Sequence, residues 1–217
     1  MDRQVLARYL IRETIGIVLV GVTLFWAAGN VVWWPGWALV ALTAAWVAGM
    51  TIVILRFNPD MLAERLGAGK GGERWDTAIM SVVGVSQLIR LVLAGLDQRF
   101  AWTGGFSTAI QLAGLGVSAL GYSLVVWATA VNAHFSQIVR IQVERAHAVA
   151  TGGPYQWVRH PAYVGSILCE LALPLLLDSW WAMIPGALNA ALFVVRTALE
   201  DRTLKDTLAG YADYAQE

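Results

Sequence analysis

Residues Thr14 to Leu55, TIGIVLVGVTLFWAAGNVVWWPGWALVALTAAWVAGMTIVIL, contain no Asp, Glu, Lys or Arg over 42 positions. One helix crosses the hydrocarbon core of a bilayer with about 20 residues, so the run holds two spans. The break falls at Asn30 to Gly36, where Asn30, Pro35 and Gly36 interrupt the apolar pattern. Trp33, Trp34 and Trp37 flank it, an aromatic cluster suited to headgroup depth. The expectation is a tight helical hairpin. A secretory signal would be shorter and would end in a small-residue cleavage site. Here the apolar run continues straight into a second span and reads as mature structure.

Outward from this stretch the composition agrees. Apolar residues make up 58% and charged residues 14%, against roughly 45 to 50% and 25% in soluble domains. Further apolar segments run over 77–96, 106–131, 163–177 and 179–195. The fold expected is all-α and polytopic, with about six transmembrane helices in one membrane domain. Residues 1–139 supply the N-terminal transmembrane helices, and 140–217 a catalytic loop, a helical hairpin and a C-terminal helix. The last two apolar segments are short, separated by Asp178 near Pro174 and Pro185, and form a second hairpin whose depth is left open.

Lys and Arg test the division, because cytoplasmic loops are enriched in them. Arg3, Arg8 and Arg12 precede the first span, and Arg56, Arg65, Lys70 and Arg74 follow the second. Arg140, Arg145 and Arg159 follow the fourth, and Arg196, Arg202 and Lys205 close the chain. Six spans with both termini cytoplasmic put 13 of the 15 positive charges inside, Arg99 outside and Arg90 within a span. Arg90 lies a turn or two from the outer end of its segment, which favours snorkelling over a functional role.

Several chemistries are disfavoured. Cys169 is the only cysteine, so neither an intramolecular disulfide nor a cysteine metal cluster can form. It reads as a small buried hydrophobe, and no metal site is expected. The formal charge is zero, which gives no reason to expect nucleic acid as a partner. The glycine-rich stretch Gly67 to Gly72 around Lys70 lacks the spacing and the Ser or Thr of a phosphate loop and reads as a flexible interfacial loop.

Residues able to carry chemistry cluster on the expected cytoplasmic side. The first group holds His147, Gly152-Gly153-Pro154-Tyr155 and Arg159-His160-Pro161-Ala162-Tyr163. Its glycines and proline make a tight turn. Pro161 disfavours helical geometry at His160, so a helix starts near Pro161, with free N–H groups able to receive an anion. In the second group Arg196 and Glu200, four apart, share a helix face, with Asp201 beside them. Tyr211 and Tyr214 follow on an amphipathic segment. Read singly, Arg196 and Glu200 would be an interfacial ion pair.

Together, "TGGPYQWVRHPAYVG", then "RTALEDRTL", then "GYADYAQ" resemble the isoprenylcysteine carboxyl methyltransferase family and its phospholipid methyltransferase relatives. The segment "NPDMLAERL" at 58–66 looks like a loop common in bacterial members, which implies a bacterial inner membrane. The resemblance implies an integral membrane enzyme that uses S-adenosylmethionine without a Rossmann domain. It implies a cytoplasmic cofactor site of His147, Ala148, Val149, Ala150, Tyr155, Arg159, His160, Pro161, Ala162, Tyr163 and Glu200, with Asp201 adjoining. Arg140 or Gln142 falls where a polar cofactor contact belongs. Arg196 matches a position that addresses the acceptor's reacting group, so Arg196 and Glu200 are the candidate catalytic pair. Two features depart from the family: Glu200-Asp201 stands where two glutamates are common, and relatives commonly continue past the Tyr214 region into a basic segment.

A carboxylate such as Glu200 suits the cofactor's ammonium, and methyl transfer is mainly a task of in-line positioning. The implied partners are the bilayer and a lipophilic or amphipathic acceptor, whose nucleophile the sequence leaves open. Two other readings stay open, an NADPH-dependent membrane reductase of the steroid-reductase-like layout and a non-enzymatic transporter or scaffold.

Overall fold

The computed structural model describes residues 3–59, 61–66, 72–142, 145 and 147–216, without the side chains of 63 and 64. Lys70 and the glycines of 67–71 lie outside the described residues, as does Asp60 within the bacterial-type loop. Among the described residues eight α-helices follow one another: α1 (Arg3–Ala28), α2 (Trp34–Phe57), α3 (Met61–Leu66), α4 (Arg74–Phe100), α5 (Thr108–Val131), α6 (Pro161–Leu176), α7 (Trp180–Thr207) and α8 (Tyr211–Tyr214). A 3-10 turn covers Gly153–Gln156. Among the described residues there is no strand.

Five of these helices, α1, α2, α4, α5 and α7, are long and apolar enough to cross a membrane. The expected hairpin turn is present. Gly29 ends α1 in the left-handed region, the Asn30 side chain accepts from Val32 N at 2.8 Å, and Pro35 occupies the first turn of α2. The Trp37 indole donates to Val31 O at 2.8 Å and fastens the turn to the helix start. Outward faces such as Ile15, Val22, Val85, Leu120 and Ile184 are exposed and apolar, as lipid contact requires.

At 16 residues, α6 is only about 24 Å long, short of the roughly 30 Å of a bilayer core. The depth of its hairpin with α7 is nonetheless fixed by hydrogen bonds. Asp178 accepts from Phe106 N, Trp180 N donates to Thr103 Oγ1 at 3.0 Å, and Ser179 Oγ donates to Asp97 at 2.5 Å while capping α7. The hairpin tip therefore lies level with the ends of α4 and α5. It traverses the bundle.

Packing across α5 and α6 depends on small residues, because helices in lipid associate by close van der Waals contact. A Cβ on Gly121 would stand 2.6 Å from Gly165 O, and one on Gly114 would stand 2.6 Å from Leu176 N. Leu24, Leu39, Leu91, Leu173 and Leu176 form the larger core cluster, and Tyr9, Ile54, Met61 and Leu62 a smaller one under α3.

Arg90 does not snorkel. Helix α4 continues to Phe100, which leaves Arg90 nearly three turns from the end. Its guanidinium is buried and pairs with Glu170 on α6. Glu170 also accepts from Asn189 at 2.9 Å and from Gln87 at 3.2 Å. A charge inside a bundle is tolerable when paired and hydrogen-bonded in this way, and α4, α6 and α7 are held together by it.

Candidate functional site

At the end of the bundle opposite the hairpin tip, a cavity of about 640 Å³ lies among α2, α4, α5, α7 and the 132–160 connection. One wall is apolar, with Trp46, Met50, Met80, Val125 and Phe193; the other carries His147, Tyr155, His160, Tyr163 and Glu200. The size falls within the roughly 300 to 1,000 Å³ of small-molecule sites.

The polar wall is built by the turn before α6. His160 is non-helical (φ −127°, ψ 62°), as the following proline requires, and Pro161 opens the helix. The N–H groups of Tyr163 and Val164 bond back to His160 O at 3.1 and 3.2 Å. In that first turn, therefore, Ala162 holds the single N–H not turned back on His160, fewer anion donors than the sequence suggests. The His160 ring stacks on Tyr163 with centroids 5.6 Å apart. Upstream, His134 and His147 stack at 4.7 Å. Gln142 N donates to His147 Nδ1 at 3.3 Å, which assigns the imidazole proton to Nε2.

On α7, Arg196 and Glu200 share a face as expected, yet they do not pair with each other. Arg196 Nε and Nη2 hold Asp76 at 2.6 and 3.2 Å, Nη2 also donates to Gln137 O at 2.7 Å, and the guanidinium lies 5.1 Å from the Tyr163 ring centre. Glu200 accepts from the Tyr163 hydroxyl instead. Tyr163 thus separates the two charged groups of α7 and touches both.

Helix α8 closes over this wall. The Tyr211 hydroxyl donates to Asp201 at 2.9 Å and stands 3.1 Å from His160 Nε2; the Tyr214 hydroxyl donates to Tyr155 O at 2.6 Å. Asp201 further pairs with Lys205 at 2.7 Å and Arg159 at 3.4 Å. Burial, then the bond to Asp201, pushes the Tyr211 hydroxyl well above the ordinary tyrosine range. Burial pushes Tyr155 up to about 12. Both remain neutral hydrogen-bonding groups near pH 7.

Of the residues singled out in the sequence, Arg140, His147, Ala148, Val149, Ala150, Tyr155, Arg159, His160, Pro161, Ala162, Tyr163, Arg196 and Glu200 line this one cavity. Gln142 and Asp201 stand behind the wall. Fully buried, Gln142 donates to His134 O at 2.6 Å and accepts from Arg145 at 2.9 Å. Sequence reasoning missed Asp76, His134, Gln137, Arg65 and the apolar wall. A carboxylate at the mouth of a span, two residues after Arg74, was the available signal for Asp76; the wall residues read only as lipid-facing helix.

Residues 114–206, from within α5 to near the end of α7, match the model of the isoprenylcysteine carboxyl methyltransferase family. The uncharacterized protein YpbQ of Bacillus subtilis (strain 168) is 29% identical over 174 residues, 78% of this chain and 96% of that protein. The matched segment contains most of the polar cavity wall. The chain is thus an all-helical, polytopic membrane protein that carries the match to the isoprenylcysteine carboxyl methyltransferase family over residues 114–206, as its motifs imply.

Proposed function

We propose that the protein is an S-adenosylmethionine-dependent methyltransferase acting on a lipophilic or amphipathic acceptor at the membrane. The observation that carries this reading is the two-sided cavity, polar and ionisable along the family-matched segment, apolar toward the bundle. The cofactor's charges suit the polar wall. Glu200 offers a carboxylate to an ammonium, Ala162 N–H and Arg140 offer donors to a carboxylate, and Tyr155 and His160 present aromatic faces. Bound there, S-adenosylmethionine would supply an electrophilic methyl group on cationic sulfur.

The chain's own residues orient and exclude water. Helix α8, bonded to Asp201 and Tyr155, covers the polar wall, and Asp76 with Gln137 O holds the Arg196 fork rigid. Among the described residues those bonds use Nε and Nη2, so Nη1 is the atom we assign to the acceptor's reacting group. A second, largely apolar groove between α4 and α7, lined by Val85, Ile89, Pro185 and Leu188, shares Ser81 with the cavity. An apolar groove beside the cavity supports an acceptor with a hydrocarbon part.

Isothermal titration of the purified protein in detergent with S-adenosylhomocysteine and with NADPH tests the reading. Binding of the former alone is expected. Binding of NADPH alone would replace the proposal with the reductase reading.

A further inference from the structure

Arg65 is a cation of the cavity wall that forms no ion pair among the described residues. It sits on α3, is only 5% exposed, and lines the same cavity as Glu200. Its Nε is buried with no hydrogen-bond partner, and among the described residues its guanidinium is in no ion pair. The groups around it are the Tyr9 hydroxyl, Glu13 and Arg12. Glu13 is already held by Arg12 at 2.6 Å, and Arg12 also reaches over to donate to Arg65 O.

The other arginines with described pairings are spent. Arg196 is balanced by Asp76, so that pair brings hydrogen-bond donors but no net charge to the cavity. Arg159 is half-exposed and faces Asp201 at 3.4 Å. A guanidinium deprived of water and of a counter-charge is costly, and a ligand anion relieves that cost.

We propose that Arg65 receives an anionic group, a carboxylate or a phosphate, carried by the amphipathic acceptor. The inference rests on the methyltransferase reading for the word acceptor, and on the cavity alone for the anion. Arg65 comes from α3 and faces the α1–α2 side, where Met50 and Phe135 also line the cavity. The family-matched polar wall comes from α6, α7 and the preceding turn. The cofactor's own carboxylate is the competing source of the anion, and the experiment separates the two.

The test uses the full chain in detergent at pH 8, with tryptophan fluorescence as readout, since Trp46 lines the cavity. The probes are hexadecanoate, hexadecyl phosphate and the uncharged hexadecanamide, and S-adenosylhomocysteine is titrated in parallel. The parent is expected to favour the anionic probes over the amide by on the order of tenfold to a hundredfold, the range of a charge-assisted contact. Arg65→Gln should erase that preference and leave S-adenosylhomocysteine affinity unchanged, and Arg65→Lys should keep part of it. A parent that does not discriminate, which needs no variant to fold, overturns the proposal. So does Arg65→Gln with preference intact, or with loss of S-adenosylhomocysteine binding alone, which would assign the anion to the cofactor. If an Arg65-dependent preference is found and S-adenosylhomocysteine fails to bind the parent, the anion site stands and the methyl-transfer reading falls.

Discussion

At the scale of single residues, the two charged groups of α7 are set apart by what each touches. Among the described residues Glu200 is in no ion pair and accepts from Tyr163, which leaves its carboxylate able to meet the ammonium of the proposed cofactor. Glu200→Gln is expected to weaken S-adenosylhomocysteine binding by roughly 1.5 to 3 kcal/mol, the worth of a charge-assisted hydrogen bond. Arg196→Lys should leave that affinity nearly intact and lower turnover, because a compact ammonium cannot reproduce the planar fork that grips Asp76 bidentately, reaches Gln137 O and still points a donor into the cavity. Asp201 acts at one remove, through Tyr211, His160 and Arg159. Asp201→Asn should therefore weaken binding less than Glu200→Gln. Titration of the three variants, with methyl-transfer rates for Arg196→Lys, checks the order, and equal slight effects would remove α7 from the active site. The Arg196 to Glu200 pairing that their spacing suggests does not form, because Asp76, 120 residues away in sequence, offers Arg196 a bidentate partner. No periodicity or spacing links two such positions.

At the scale of elements, what was legible in sequence was where helices start and stop. Pro35, Pro161 and the charge-free runs announce them, and the structure lengthens several rather than moving them: α4 spans Arg74–Phe100 and α7 spans Trp180–Thr207. The polar flanks continue the helix beyond the apolar core of each segment. What was not legible is which faces meet. Glu170, inside an apolar segment, is the partner of Arg90 some 80 residues earlier, and only the packing of α4 against α6 and α7 brings them together. Glu170→Gln leaves Arg90 buried beside an uncharged amide, and a loss of about 3 to 5 kcal/mol is expected from breaking such a pair. Thermal unfolding in detergent would register it, and an unchanged midpoint would mean that the pair is not formed. The α5–α6 contact gives a second test, because α6 also carries His160 and Tyr163 to the cavity. Gly165 is pressed against the Gly121 carbonyl and Val125. Gly165→Val should cost at least about 1 to 3 kcal/mol through overpacking and weaken S-adenosylhomocysteine binding as α6 is displaced. Gly116→Val, with open space at its Cβ, should do neither.

At the scale of the whole molecule, the connections sort into two ends without reference to any membrane. At one end Arg99 lies against Gly29, Thr103 bonds Trp180 N, and Asp178 bonds Phe106 N. At the other, Arg145 bonds Asn58, Arg196 bonds Gln137 O, and Tyr214 bonds Tyr155 O. Among the described residues the chain passes between these ends six times, α6 included, so the start of α1 and the helix α8 share the second end with the cavity. Lys and Arg concentrate at that end, and in membrane proteins such an excess faces the cytoplasm. Single cysteines in a Cys169→Ala background test this orientation. Arg3→Cys and Arg202→Cys should react with an impermeant thiol reagent only from the cytoplasmic face, and Val32→Cys, at an 87% exposed position, only from the opposite face. Cys169 is buried, so its removal should alter labelling little. Modification of Arg202→Cys and Val32→Cys from the same face would mean an odd number of crossings, with one helix of the α6–α7 hairpin not traversing. The hydrogen bonds of the hairpin tip to Asp97, Thr103 and Phe106 could not then exist. Reaction of all three in the inverted sense would keep the six passes and reverse the cavity, placing it where the charge distribution says it should not be and where a cytoplasmic cofactor could not reach it.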